Sequence, residues 1–254
     1  MGLLRVKVFT MNPAEFTYFY FTPGDIKRDV ITFNAEESRH ISRVCRIGSG
    51  DQIMATDGNG RVCHVEITDP SRNAVMGKIV SSETHEKPSP SIELAIPLTS
   101  ANKADWIIEK CTELGISSFH FFPSQRSKVA QNDKKLERLS RISISAIKQS
   151  MRAHVPAIIR HETLESLIDS FSSFDVILLG HLDKAIPELP ERRKTTGVKR
   201  VLLVVGPEAG FDPSEVKQIR DSGAETVRFG NHRLRMETAA IVLSTIAIQH
   251  FSAS

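Results

Sequence analysis

Val201-Leu202-Leu203-Val204-Val205, then Gly206-Pro207-Glu208-Ala209-Gly210-Phe211, then Asp212-Pro213-Ser214-Glu215 is the stretch on which the fold turns. Five consecutive apolar residues predict a strand covered on both faces, the environment of a parallel sheet. Two glycines allow unusual backbone angles and a close ligand approach. Asp212 reads as an N-cap, with Pro213 at the first helical position and Glu215 completing a capping pattern. A strand, a tight loop and a helix in that order place a ligand site beyond the carboxyl end of a strand. The loop is not a P-loop, because no Lys-Ser/Thr follows its last glycine, and it lacks the GxGxxG dinucleotide fingerprint.

The same grammar recurs twice. Gly230-Asn231-His232-Arg233-Leu234-Arg235-Met236-Glu237-Thr238-Ala239 follows a strand candidate at 226–229, and Gly180-His181-Leu182-Asp183-Lys184 follows one at 175–179. Two arginines beside a glycine bend are costly to bury and call for solvent or an anion. Further strands are expected at 92–96, 119–122 and 200–205, with helices between most of them, which predicts an α/β domain with a mostly parallel sheet. One helix, 103–114, ends at Gly115 and should bury Ile107, Cys111 and Leu114. A second, 133–152, sets Leu136, Leu139, Ala146 and Ile147 on one side and Arg138, Arg141, Lys148 and Arg152 on the other. The last, 236–251, is apolar nearly all round, which predicts burial in the core or at a subunit interface.

Toward the amino terminus the pattern changes. Residues 82–91 (SETHEKPSPS) have linker composition. Before them, short β-type runs alternate with turns. Residues 16–21 are aromatic, Asp57-Gly58-Asn59-Gly60 is a hairpin turn between 51–56 and 61–67, and 74–80 is another strand. One helix is expected at 35–44, with Asn34 as N-cap and Glu37 closing a capping box. This reads as a small β-barrel, a pattern shared by several RNA-binding modules.

Composition narrows the partners. Hydrophobic residues make up 40% of the 254 and charged residues 25%, so the chain is neither disordered nor membrane-spanning by composition. No secretory signal is evident, and a cytoplasmic location is expected. Three scattered cysteines, Cys45, Cys63 and Cys111, fit neither a disulfide framework nor a zinc site, and no metal is expected. The net charge of +3 is weak, but residues 126–160 hold nine Lys and Arg against only Asp133 and Glu137. A local basic stripe suits a phosphate backbone.

The combination of GPEAGFDPSE at 206–215, LRMETA at 234–239, ELGI at 113–116, SQRSKV at 124–129, KQSMRAHVP at 148–156 and HISRVCRIGSGD at 40–51 resembles the bacterial RsmE-type methyltransferases, which act on N3 of a uridine in 16S ribosomal RNA. The resemblance implies a PUA-like β-barrel (16–87) and then a SPOUT domain (91–254), which is α/β with a deep trefoil knot. Residues 1–15 are an extension beyond the family's usual start. It also implies S-adenosylmethionine as cofactor, the small ribosomal subunit as partner rather than DNA or a membrane, and a homodimer through the C-terminal helix. Cofactor contacts are then expected at Leu179, Gly180, His181, Val205, Gly206, Pro207, Glu208, Gly210, Phe229, Gly230, Leu234, Arg235 and Thr238. For catalysis the expected residues are Arg235, to stabilise charge on the uracil, with Glu208 and Arg126. RNA contacts are expected at Arg43, Arg46, Arg126, Lys128, Arg141, Lys148, Gln149, Arg152 and Arg233. The family usually has GPEGG where this chain has Ala209, a strained choice if that position needs positive φ and a harmless one otherwise. Two other readings share these motifs: a non-catalytic RNA-binding or ribosome-assembly factor with a lapsed site, and a SPOUT 2′-O-ribose methyltransferase.

Overall fold

The computed structural model describes residues 17–127, 133–181, 196–228 and 232–252. The chain forms two compact units, one from Met1–His85 with Lys148–Ala153, the other from Glu86–Ile147 with His154–Ser254. The residue 1–15 extension lies outside the described residues.

The first unit is a six-stranded sheet of β1 (Tyr18–Tyr20), β2 (Ile26–Lys27), β3 (Val30–Thr32), β4 (Gln52–Thr56), β5 (Arg61–Asp69) and β6 (Met76–Thr84), in the order β1-β4-β5-β6-β3-β2. It encloses one core built on Phe19, Phe21, Ile31, Phe33, Ile53 and Val65. The Asp57–Gly60 turn forms as the sequence requires: Asp57 Oδ1 accepts from Asn59 N at 2.8 Å and Arg61 N at 3.1 Å, and Gly58 and Gly60 take positive φ. The β2–β3 hairpin has no such signal, because its left-handed residues are Arg28 (φ 49) and Asp29 (φ 64). The linker is shorter than expected, since β6 continues to Thr84 and pairs with Arg61. The expected helix 35–44 is α1 (Ala35–Arg39) followed by a π-helical turn, His40–Val44. Asn34 caps it, accepting from Glu36 N and Glu37 N. Glu37 does not close the capping box. It is buried, accepts from Tyr20 N at 3.3 Å and pairs with Lys148.

The second unit is a six-stranded sheet in which every pair is parallel. Its strands are β7 (Ser91–Pro97), β8 (Ser118–Phe122), β9 (Ala157–Arg160), β10 (Val176–Gly180), β11 (Arg200–Val204) and β12 (Glu225–Val227), ordered β12-β10-β11-β7-β8-β9. Alternation along the strands feeds two cores. Val201 and Leu203 join Leu94, Phe119 and Phe121 on the face covered by α2 (Ala101–Leu114), α3 (Asp133–Gln149) and α6 (Met236–Ser252). Leu202 and Val204 join Ala95 and Phe122 on the face covered by α4 (Leu164–Asp169) and α5 (Pro213–Asp221). Helices on both sheet faces are what the continuous apolar strand demanded. Gly115 ends α2 at φ 123, as expected, although Leu114 is only half-buried. Helix α3 stops at Gln149, short of the expected 152, and Met151 follows at φ 54. Helix α6 buries one side, with Met236, Ala240, Leu243, Ala247 and Phe251, and leaves Ile241, Val242, Ile246 and Ile248 half-exposed. No helix among the described residues is long and apolar enough to cross a membrane.

A polar chain runs from β11 across β7 and β8 to His161, just past the end of β9. Arg200 donates to Glu93 Oε1 from Nε at 3.1 Å and from a terminal nitrogen at 2.9 Å. Glu93 Oε2 lies 2.8 Å from His120 Nε2, and His120 Nδ1 lies 2.9 Å from His161 Nε2. Burial pushes the His161 imidazole below its ordinary value, and the neighbouring His120 adds to that. A lowered folded pKa means that stability is fully present above the unfolded value and is lost as pH falls through the folded one. The melting midpoint should therefore drop on acidification below about pH 6.5, and His161→Gln should flatten that slope. Parallel pH–melting curves for the two proteins would exclude His161 as its source.

Candidate active site

Three loops leave the carboxyl ends of β10, β11 and β12, strands that adjoin in the sheet. Their described residues and the start of α6 enclose a cavity of about 300 Å³. Val205, Leu234, Met236 and Ala239 supply apolar lining, with Gly180, His181 and the loop Gly206–Phe211 around them. The β11 loop is fixed from both ends. Val205 N donates to Ala95 O at 3.0 Å, and Gly210 N to Pro207 O at 2.8 Å. At the helix end, Asp212 accepts from Ser214 N while Glu215, buried at N3, accepts from Asp212 N at 2.8 Å and Gln125 N at 2.9 Å. The capping pattern read from the sequence thus forms, and Glu215 also ties in the loop after β8. Hydrogen bonds from the Ser214 backbone and side chain hold the Asp212 carboxyl below its ordinary value, and Arg126 adds to the effect.

Gly206 is required by space. A Cβ there would lie 2.8 Å from the Phe211 ring. Gly210 is required by conformation, at φ 74. Ala209 lies outside the positive-φ set, so its methyl carries no backbone strain, and it lines the cavity.

Of the residues named from the sequence, Gly180, His181, Val205, Gly206, Pro207, Glu208, Gly210 and Leu234 line the cavity. Leu179 does not; it is fully buried in the core below. Thr238 and Arg235 are exposed and outside the lining. Phe229 and Gly230 lie outside the described residues. Phe211, Met236 and Ala239 line it without having been expected there, while Ala209, His232 and Arg233, which fall within the expected cofactor loops 205–210 and 229–235, line it too. Arg233 donates to Glu208 O at 2.6 Å. The Glu208 carboxylate pairs with Lys103 of α2. Arg126 faces the outside of the loop, donating to Ala209 O at 3.4 Å and Asp212 Oδ2 at 3.2 Å. It braces the loop and does not reach the cavity lining.

The expected RNA contacts separate by burial. Arg43, Arg46, Arg141 and Gln149 are exposed, and Arg152 is half-buried. Lys128 lies outside the described residues. Lys148 is a correction: its side chain is 14% exposed and is paired with Glu37, so it serves the first unit's interior.

A doubly covered parallel sheet, with glycine-bearing loops closing a cavity at the strands' carboxyl ends, defines an α/β domain of the ligand-binding class. The match to known families is specific. The model of the RNA methyltransferase domain covers residues 85–248, and that of the RNA methyltransferase PUA domain covers 33–80. The chain belongs to this RNA methyltransferase family. It is 30% identical over 230 residues to the ribosomal RNA small subunit methyltransferase E of Aquifex aeolicus, covering 89% of this chain and 97% of that one. With the enzyme of the same name from Bacillus subtilis it shares 29% identity over 236 residues, 86% of this chain and 90% of the relative. A crystal structure of ribosomal RNA small subunit methyltransferase E from Neisseria gonorrhoeae, bound to S-adenosyl methionine, superposes with a TM-score of 0.81 at 26% identity, covering 92% and 96% of the two chains.

Proposed function

We propose that this chain is an S-adenosylmethionine-dependent methyltransferase of the small-subunit ribosomal RNA, acting on N3 of a uridine. The observation that carries the reading is the cavity built by the β10, β11 and α6 loops in a chain of this family. Its residues suit the cofactor. Gly180, Gly206 and Gly210 bring backbone to the lining, and Val205, Leu234, Met236 and Ala239 offer apolar contact. When bound, S-adenosylmethionine supplies an electrophilic methyl group.

The chain's own residues then have three tasks. The β11 loop holds the cofactor in one orientation, fixed by Glu215, Asp212 and Arg126. A cation must stabilise the charge that develops on the uracil as its N3 proton passes to solvent water. Arg233, in the lining and held by Glu208 O, is better placed for this than Arg235, which lies outside the lining, although both side chains are exposed. Glu208, paired with Lys103, fits loop anchoring better than proton acceptance. Arg43, Arg46, Arg141 and Gln149 are the exposed groups for the RNA. The deep trefoil knot, the domain limits 16–87 and 91–254, a cytoplasmic location and a homodimer through the half-exposed apolar side of α6 belong to the same proposal.

Nucleoside analysis of small-subunit RNA after incubation with protein and S-adenosylmethionine tests it. 3-Methyluridine should form, Arg233→Ala should lower turnover by about 10²-fold or more, and S-adenosylhomocysteine affinity should change far less. A 2′-O-methylated product would replace the N3 assignment. Equal losses of turnover and binding would remove Arg233 from the chemistry.

A further inference from the structure

Val44 is 71% exposed, the most exposed large hydrophobic side chain among the described residues. Its surroundings hold it there. Residues His40–Val44 form a π-helical turn, in which Cys45 N donates to His40 O at 3.0 Å, and Ile47 N then donates to Ile41 O, also at 3.0 Å. Ile41 and Ile47, buried in the first unit's core, pin the two ends of the turn. Arg46 closes it at φ 55, a left-handed conformation that side chains other than Gly, Asn and Asp rarely take. The widened turn and the left-handed residue together push Arg43, Val44 and Arg46 outward, all three exposed. No acidic side chain closes an ion pair on Arg43 or Arg46 among the described residues. π-Helical turns and strained residues concentrate at functional positions.

We propose that this turn is an RNA-contact wedge, in which Val44 packs against the face of an unstacked base while Arg43 and Arg46 hold the flanking phosphates. Charge chooses the partner. Two uncompensated guanidinium groups on either side of a rigid apolar tip match a strand that alternates anionic backbone with flat apolar bases. The inference deepens the reading of the chain as a ribosomal RNA enzyme and rests on it.

The test measures affinity for a 16S ribosomal RNA transcript at several salt concentrations, with S-adenosylhomocysteine binding as the control on the second unit. Val44→Ala should weaken RNA binding roughly 5- to 10-fold with an unchanged salt slope, because no charge is lost. Arg43→Gln should weaken binding and reduce the slope by about one counterion. Both variants should keep the wild-type melting curve and cofactor affinity, since the altered side chains are exposed. Wild-type RNA affinity in Val44→Ala overturns the wedge and leaves the enzyme reading standing. If Val44→Ala binds naked RNA normally but the assembled small subunit weakly, the turn contacts a ribosomal protein and the proposal fails. A wild-type protein that binds the cofactor product but no RNA removes the reading and the wedge together.

Discussion

Gly206→Ala is expected to weaken S-adenosylhomocysteine binding by about 10- to 100-fold while leaving the chain folded. The added Cβ would sit 2.8, 3.0 and 3.3 Å from three carbons of the Phe211 ring. That ring cannot swing aside. It is 8% exposed and stacks on Phe122 with centroids 6.1 Å apart. The loop must move instead, and overpacking of this kind costs about 1–3 kcal/mol. Each 1.4 kcal/mol taken from the binding-competent arrangement is roughly tenfold in affinity. The displaced residues are the cavity's own wall, so the loss falls on the ligand. Ala209→Gly is the matched control: Ala209 has no positive φ to relieve, and its affinity should stay near wild type. Calorimetry on both proteins decides the matter. A Gly206→Ala protein that binds normally would mean that the loop relaxes freely and does not hold the cofactor.

Lys148→Met should destabilise the first unit by about 3–5 kcal/mol, the usual cost of leaving one member of a buried ion pair alone. Glu37, at 6% side-chain exposure, would keep the Tyr20 N–H as its one hydrogen-bond donor among the described residues. Denaturant unfolding followed from the first unit would show the loss. Were Lys148 instead an RNA contact, the substitution would leave unfolding unchanged and shallow the salt dependence of RNA binding. Replacing both members, Glu37→Leu with Lys148→Met, should recover much of the stability, because a buried pair can give way to apolar packing.

These two residues also mark what sequence reading can and cannot reach. The β11 strand, its loop and the α5 cap are encoded within 15 adjacent positions, so Val201–Glu215 announced both the parallel sheet and the ligand loop. Strand β9 offered only Ala157–Arg160 between a proline and polar residues, too short for a period to emerge. The β2–β3 hairpin turns on Arg28-Asp29, a pair without the usual glycine. Lys148 looked like part of a cationic stripe because helical spacing reports a face and says nothing of a partner 111 residues away. The separate placement of Arg233 and Arg235 was equally beyond reach. Both follow the same glycine and both are exposed, yet Arg233 belongs to the cavity lining and Arg235 does not.

The first unit is built from two stretches of chain, and this fixes an order of events during synthesis. Gly60 N donates to Ala153 O at 2.9 Å, Thr17 Oγ1 donates to the carbonyl of Lys148 at 3.2 Å, and Tyr18, Val62 and Ala153 share a small apolar cluster. None of these contacts can form while the ribosome has made only the first 87 residues. At about 5–20 residues per second, Ala153 follows several seconds later, after β7, α2, β8 and α3 have emerged. The nascent first unit must wait through that interval with Glu37 lacking its countercharge. Its completion therefore depends on chain made after most of β7 to α3, and a protein released before residue 153 would lack a finished first unit as well as a finished second one.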